Sequence, residues 1–351
     1  MDKITVVGLD LAKQIIQVHA VDAGGRVVLR KVVRRERLLA LLAQFPRCVV
    51  GMEACSGAHH WARALAELGH DARIMAAEFV RPFRKSVAAK NDANDAEAVC
   101  TAVRQANMRF VTVKSVEQQA LLCLHRVRQG LIEERTASLN RLRGLLAEFG
   151  QVVPQSVPAL YRALPQILTP QELRVPAAVG RCLQDLREHV RSLDERITVL
   201  DREIAHHARS SESARRIAAL CGVGPHTASA VVATVGNARD YRNGRQFAAW
   251  LGLVPKQYSS GGKTKLGRIT KRGDAYLRTL LIQGARSALQ AALRRAPVKR
   301  DRLSAWMVQL AQRIGYHKTL VAIANKHARI IWALLARDAI FDREHAATAL
   351  I

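Results

Sequence analysis

Residues 4–33 read ITVVGLDLAKQIIQVHAVDAGGRVVLRKVV. Three β-branched runs stand in this stretch: Ile4–Leu9, Ile15–Val21 and Val27–Val33. Between the last two lies Asp22-Ala23-Gly24-Gly25, where Asp and Gly tolerate the positive φ of a tight turn, so these runs pair as a hairpin. Glu36–Gln44 has helical spacing, Cys48–Met52 is a fourth, buried-looking strand, His59–Leu68 is a helix and Asp71–Met75 a fifth strand. The pattern predicts an α/β domain at the N-terminus.

Three antiparallel strands followed by alternating helix and strand is the order of a ribonuclease-H-like domain, though other α/β folds begin in the same way. The acids at the strand ends are more informative. Asp10 closes the first strand and Glu53 the fourth, and KNDANDAE (90–97) opens a helical run through Val103. Asp92 and Asp95 are three apart and share a helix face. Carboxylates from two strand ends and one helix start suit a pair of Mg2+ ions, or Mn2+, which stabilise both the attacking and the leaving oxygen in phosphoryl transfer. The competing reading makes Asp92 a helix cap and Asp95 or Glu97 a partner of the helix dipole. It leaves Asp10 and Glu53 unexplained, because an acid ending an apolar strand caps nothing.

The chain carries 55 Lys and Arg against 29 Asp and Glu, a formal net charge of +26, which points to a polyanionic partner. The excess is uneven. Residues 1–100 hold fifteen basic and eleven acidic residues, whereas 251–300 hold twelve basic residues and one acid, Asp274. Within that basic region, WLGLVPKQYSSGGKTKLGRITKRGDAYLR (250–278) opens apolar, breaks at Pro255, and passes through Ser259-Ser260-Gly261-Gly262. It closes with Lys263, Lys265, Arg268, Lys271, Arg272 and Arg278. A hydroxyl before two glycines, ringed by cations, suits a phosphate: the cations hold its oxygens and Ser260 reaches the phosphorus. The plain alternative is a solvated turn between helices.

Val116–Phe149 and Gln184–Ala208 are long helical runs, and Leu186, Val190, Leu193, Ile197, Leu200 and Ile204 form a seam that suits dimerisation through a coiled coil, or else an intramolecular pair. Between the two runs, Gly150–Pro176 holds five of the ten prolines and reads as a connector. ARRIAALCGVGPHTASAVVATVG (214–236) is helix, Gly222-Val223-Gly224, helix. It resembles a helix-hairpin-helix, whose glycine hairpin offers N–H groups to a DNA phosphate. His226 in this hairpin is suited either to a phosphate contact or to chemistry. Adjacent His59 and His60 point to different faces, which argues against a metal site. Six cysteines without a C-x-x-C pair disfavour disulfides and structural zinc, and with no leader-like or membrane-length apolar run the expectation is a cytoplasmic, nucleoid-associated protein.

Taken together, GLDLAK (8–13), GMEACSGAHHWA (51–62), KNDANDAEA (90–98), the 222–236 hairpin and the 251–278 stretch resemble the insertion-sequence 110 family of transposases. The likeness is nearest to the 1111 branch and extends to Piv-type DNA invertases. The resemblance covers about residues 3–335. It implies a RuvC-like domain over 1–112 with Asp10, Glu53, Asp92 and Asp95 as catalytic metal ligands, a helical coiled-coil segment over 113–210, and a C-terminal transposase domain over 211–351 whose serine attacks DNA. By position that serine is Ser260, with Ser259 the weaker candidate. The resemblance further implies donor and target double-stranded DNA, an element-encoded guide RNA, and homodimers that assemble into tetramers. Two rivals remain: a junction endonuclease using the same acids with water, and a non-enzymatic nucleic-acid-binding protein. An actin-like kinase is disfavoured, because Leu11-Ala12-Lys13-Gln14 after Asp10 is not a Gly-Thr-rich phosphate turn.

Overall fold

A computed structural model describes residues 3–84, 92–169 and 175–342. The chain divides into two compact units, residues 1–115 and 116–351.

The first unit is built on a six-stranded sheet in the order β3-β2-β1-β4-β5-β6. Its strands are β1 (Val6–Leu11), β2 (Ile15–Val21), β3 (Val27–Arg34), β4 (Val49–Glu53), β5 (Asp71–Met75) and β6 (Phe110–Val111). β1, β4 and β5 run parallel, while β2, β3 and β6 are antiparallel to their neighbours. The turn read at Asp22–Gly25 forms as expected: Gly25 takes φ 82° and the Asp22 carboxylate accepts from the Arg26 N–H at 2.9 Å.

Alternation along the strands divides the sheet into two faces. Val7, Leu9, Val50 and Met52 face α1 (Leu38–Leu42) and α2 (Ala58–Glu67), burying Leu38, Leu42, Trp61 and Leu65. Val6, Val49 and Met75 face the short α3 (Ala77–Val80) and α4 (Asp92–Val103), with Val80, Val99, Ala102 and Val103. Gly8 and Gly51 lie on this second face, paired across β1 and β4. A Cβ at Gly8 would sit 2.2 Å from the Ala96 carbonyl oxygen and 2.5 Å from the Cys100 nitrogen, and one at Gly51 would sit 2.8 Å from Val103 Cβ. Glycine at both positions lets α4 lie directly on the sheet.

In the second unit α5 (Val116–Glu148) and α7 (Ala177–Ser210) pack as an antiparallel pair. Arg135 reaches Asp194 at 2.8 Å, His189 reaches Glu134 at 3.1 Å, and Arg128 reaches Asp201. Leu193 and Ile197 are buried against Leu131, and Val190 joins Leu139, Leu142 and Leu146. The apolar seam of α7 is therefore covered by α5 of the same chain, the intramolecular arrangement of the two the sequence allowed. The proline-containing connector holds a helix, α6 (Val157–Ile167). Ser156 caps it by accepting from the Ala159 N–H, and Pro158 stands in its first turn where no backbone bond is lost. Leu160 and Leu164 dock it onto α5 and α7.

The rest of the unit is helical: α8 (Glu212–Ala218), α9 (Pro225–Val235), α10 (Gly244–Trp250), α11 (Ala275–Arg294), α12 (Arg302–Ile314) and α13 (Tyr316–Ala336) share one core that includes Phe247, Leu281, Ile323 and Ile331. A two-stranded sheet, β7 (Pro255–Gln257) with β8 (Leu266–Ile269), stands between α10 and α11 in the chain. Among the described residues no helix is long and apolar enough to cross a membrane.

Candidate active site

The face of the first unit that carries Gly8 and Gly51 also carries Asp10 and Glu53, each two residues further along its strand. Leu9 pairs with Met52, which sets Asp10 beside Glu53 at the ends of two adjacent parallel strands. α4 crosses the glycines with Ala96 and Cys100 over Gly8, so its first turn lies toward the acidic strand ends. The repeated Gly-x-acid spacing, GLD (8–10) and GME (51–53), thus serves two purposes: the glycine seats the helix and the acid meets its N-terminus.

Asp95 in that turn is only 8% exposed. Arg84 ties it to the sheet: Nε lies 3.0 Å from an Asp95 carboxylate oxygen and Nη2 donates to Glu53 Oε1 at 3.2 Å. Burial lifts the Glu53 carboxyl above its ordinary range and the Asp95 charge adds to that, while Arg84 opposes both. The Cys55 thiol is raised by burial and then by the carboxylates of Asp10 and Glu53, which places all three in one neighbourhood. Asp92 begins α4, but its side chain lies outside the described residues. Among the described residues no three His, Cys, Asp or Glu side chains come together closely enough to hold a metal ion. Glu53 and Asp95 thus share one guanidinium, and carboxylate oxygens are the donor type that a hard divalent cation takes. Glu97 turns away and meets Arg30 at 3.3 Å. His59 Nδ1 accepts from the Lys114 N–H at 3.2 Å, and its pKa is pushed down to about 4 by burial and by Lys114 and Arg63. Arg84 follows a proline-interrupted turn with no periodic signature, so only the folded geometry singles it out.

The second constellation is the β7–β8 hairpin. Gly261 (φ 54°) and Gly262 (φ 77°) form its two-residue turn, flanked by the Ser260–Lys263 bridge, with the Lys263 N–H donating to Ser260 O at 3.0 Å. Positive φ at both central positions matches the twist of a hairpin and calls for glycine. Gln257 Nε2 donates to Ser259 Oγ at 2.9 Å, while the Ser260 hydroxyl makes no hydrogen bond among the described residues. Ser260, Lys263, Lys265, Arg268, Lys271 and Arg272 are all exposed on this element. Arg278 is half-buried, and its Nη1 donates to the carbonyls of Leu251 (3.2 Å) and Arg272 (3.0 Å), which clamps the hairpin foot. Tight packing completes that foot: a Cβ at Gly252 would meet Arg272 O at 2.2 Å and one at Gly273 would meet Trp250 O at 2.0 Å. Asp274 then caps α11 by accepting from the Leu277 N–H at 2.9 Å.

Of the two hairpin glycines between α8 and α9, Gly222 (φ 89°) is pressed against Gly284 of α11, where a Cβ would come within 2.3 Å of the Gly284 oxygen. Gly224 is exposed and stands at the N-terminus of α9. His226 faces inward, with Nε2 2.7 Å from the Asp201 carboxylate that Arg128 also holds. Beside them His125 bridges Tyr276 Oη and Ser229 Oγ, each at 3.0 Å, and burial and neighbouring positive groups push its pKa down to about 4.

With this geometry in view, similarity to known proteins decides the family. Residues 214–299 match the model of the transposase IS116/IS110/IS902 family, and residues 7–150 match a second transposase model, of DEDD type, for IS110 elements. The chain belongs to the IS110 family of transposases. It is 48% identical to a "probable family 20 transposase" of Pseudomonas aeruginosa, over 95% of this chain and 98% of that one. It is 39% identical to the transposase for insertion sequence element IS1328 of Yersinia enterocolitica (98% and 100% covered) and to that for IS1111A of Coxiella burnetii (96% and 91%). The transposase is thus a DNA-cutting enzyme with an N-terminal DEDD domain and a helical C-terminal part.

Proposed function

We propose that this transposase cuts and rejoins double-stranded DNA at the ends of its insertion sequence through a serine-linked phosphodiester. The observation that carries the reading is Ser260, a hydroxyl at the exposed tip of a cation-lined hairpin. It stands in a chain that also gathers Glu53 and Asp95 around a single cation. Ser260 Oγ attacks a backbone phosphorus, the phosphorus–3′-oxygen bond breaks, and the proton lost by the hydroxyl ends on the departing 3′-oxygen. The product is a 5′-phosphoserine and a free 3′-hydroxyl, and the reverse attack on an exchanged strand rejoins DNA without hydrolysis.

Asp10, Glu53, Asp92 and Asp95 would hold Mg2+ or Mn2+. The bound ion would supply positive charge to offset the negative charge that builds on the reacting phosphate. Arg84 keeps Glu53 and Asp95 facing one point, and burial of Asp95 keeps water from dispersing that field. Lys263, Lys265, Arg268, Lys271 and Arg272 would grip backbone phosphates, as would the exposed N-terminus of α9 at Gly224. The strand order of the first unit, three antiparallel strands followed by two parallel ones, supports a RuvC-like, ribonuclease-H-like assignment. The family reading adds a three-part functional division at residues 112 and 210, a helix-hairpin-helix around Gly222 and Gly224, an element-encoded guide RNA, and a homodimer that forms tetramers on DNA.

A plasmid recombination assay tests the reading. Ser260→Ala abolishes product while leaving DNA binding intact, and Ser259→Ala recombines. Normal recombination by Ser260→Ala sinks the serine role.

A further inference from the structure

At the foot of the Ser260 hairpin lies a cavity of about 470 Å³. One wall is the first rung of the hairpin, the paired Pro255 and Ile269. Across from it α13 presents Lys318, Lys326 and Arg329, and α12 presents Trp306. Among the described residues, three cations and no carboxylate line this space. Lys326 is unusual among them: it is only 8% exposed, and its ammonium stacks 4.4 Å from the centre of the Trp306 ring. Neither Lys326 nor Arg329 pairs with a carboxylate among the described residues. A buried charge is costly unless it is paired, and a ring face offsets only part of that cost. Burial and the Arg329 charge lower the Lys326 pKa, and burial and Arg245 lower that of Arg329, so both groups gain from an incoming anion.

We infer that this cavity binds one backbone phosphate of the DNA strand engaged by the Ser260 hairpin. The inference rests on the DNA-rejoining role proposed above. An anion held between Lys326 and Arg329 touches the hairpin stem itself, so the element that bears the serine is braced by the strand it acts on. From Pro255 to Ser260 is five residues. At roughly 3.3 Å per residue that separates the gripped phosphate from the attacked one by about 16 Å, or about five nucleotides of axial rise. Trp306, Pro255 and Ile269 offer carbon surface to the sugar beside that phosphate.

The test uses the full-length protein and a fluorescein-labelled duplex carrying the element end, with Kd read by anisotropy across a salt series. Lys326→Met keeps the stem of the side chain and removes its charge. It is expected to weaken duplex binding about tenfold and to reduce the salt slope by about one phosphate equivalent. It should also melt no lower than wild type, because a buried charge with no carboxylate partner among the described residues is lost and the ring face offsets only part of its cost. Arg329→Gln, at a half-buried position, provides the same readout should Lys326→Met fail to fold. Equilibrium binding requires no strand cleavage, so the Kd and salt slope report on the cavity whether or not Ser260 proves to be the nucleophile in the recombination assay. Unchanged Kd and salt slope in a folded variant overturn the inference. So does a loss confined to single-stranded RNA of the same sequence.

Discussion

Gly8→Ala tests how the carboxylates are brought together. The added methyl would lie 2.2 Å from the Ala96 oxygen, 2.5 Å from the Cys100 nitrogen and 2.7 Å from Cys100 Cβ. All three belong to the middle of α4, and the first two are backbone, so no rotamer change relieves the clash. Ordinary contact requires α4 to retreat by about 1 Å. Overpacking of this kind costs about 1–3 kcal/mol, or roughly 10 °C in the melting temperature of a domain of about a hundred residues. The same retreat carries Asp95 away from Glu53 and Asp10, and a misplacement of about 1 Å at a reacting centre lowers rate by about a hundredfold. Calorimetry and a DNA-cleavage time course on the same preparation read both effects. Gly130→Ala is the control: among the described residues nothing lies within 4 Å of a Cβ there, and alanine in the interior of α5 is expected to stabilise by about 0.5–1 kcal/mol. A Gly8→Ala protein that melts and cuts like wild type refutes the claim that close helix–sheet contact positions the acids.

Three further outcomes follow from the geometry. Gly262→Val forces a β-branched residue to φ 77°, a strain of about 1–3 kcal/mol confined to the hairpin; recombination should fall while the main melting transition stays in place. Asp274→Ala removes the cap of α11 and is expected to cost about 1 kcal/mol by denaturant titration. His125 and His327, pushed down to about 4 by burial, stay neutral in the fold, whereas the unfolded chain protonates them near pH 6.5. Their contribution is therefore complete above about pH 6.5 and lost as pH falls toward 4, on the order of 3 kcal/mol each. A melting temperature that is flat between pH 7 and pH 4.5 would contradict this.

Much of the first unit is legible in the chain because its strands are continuous β-branched runs closed by Gly, Asp or Glu. β6 is not, since two residues, Phe110 and Val111, carry no period. α6 is masked by Pro158 and Pro165, although Ser156 and the Leu160–Leu164 spacing mark it. The hairpin at 255–269 reads as loop because its exposed stem, rich in Lys and Arg, lacks the apolar alternation that marks a half-buried strand. Asp10 and Glu53 stand out as acids ending apolar strands. What ties Glu53 to Asp95 does not, because Arg84 is one of many arginines and acquires meaning only when β4, β5 and α4 fold around it. The glycines show the same limit in another way. Gly222 reads as a phosphate-facing hairpin residue, yet it is held against Gly284, a contact between positions more than sixty residues apart that no local pattern encodes.

The central claim is that a serine and a carboxylate cluster act on the same phosphodiester. End-labelled element-junction DNA is incubated with Mg2+, the element's non-coding RNA and wild type, Ser260→Ala or Asp10→Ala protein, then denatured and resolved on a gel. The account predicts a labelled protein band for wild type that both substitutions remove. Cleaved DNA without any protein-linked band would contradict it and favour a water-using junction endonuclease, with Ser260 reduced to a loop residue.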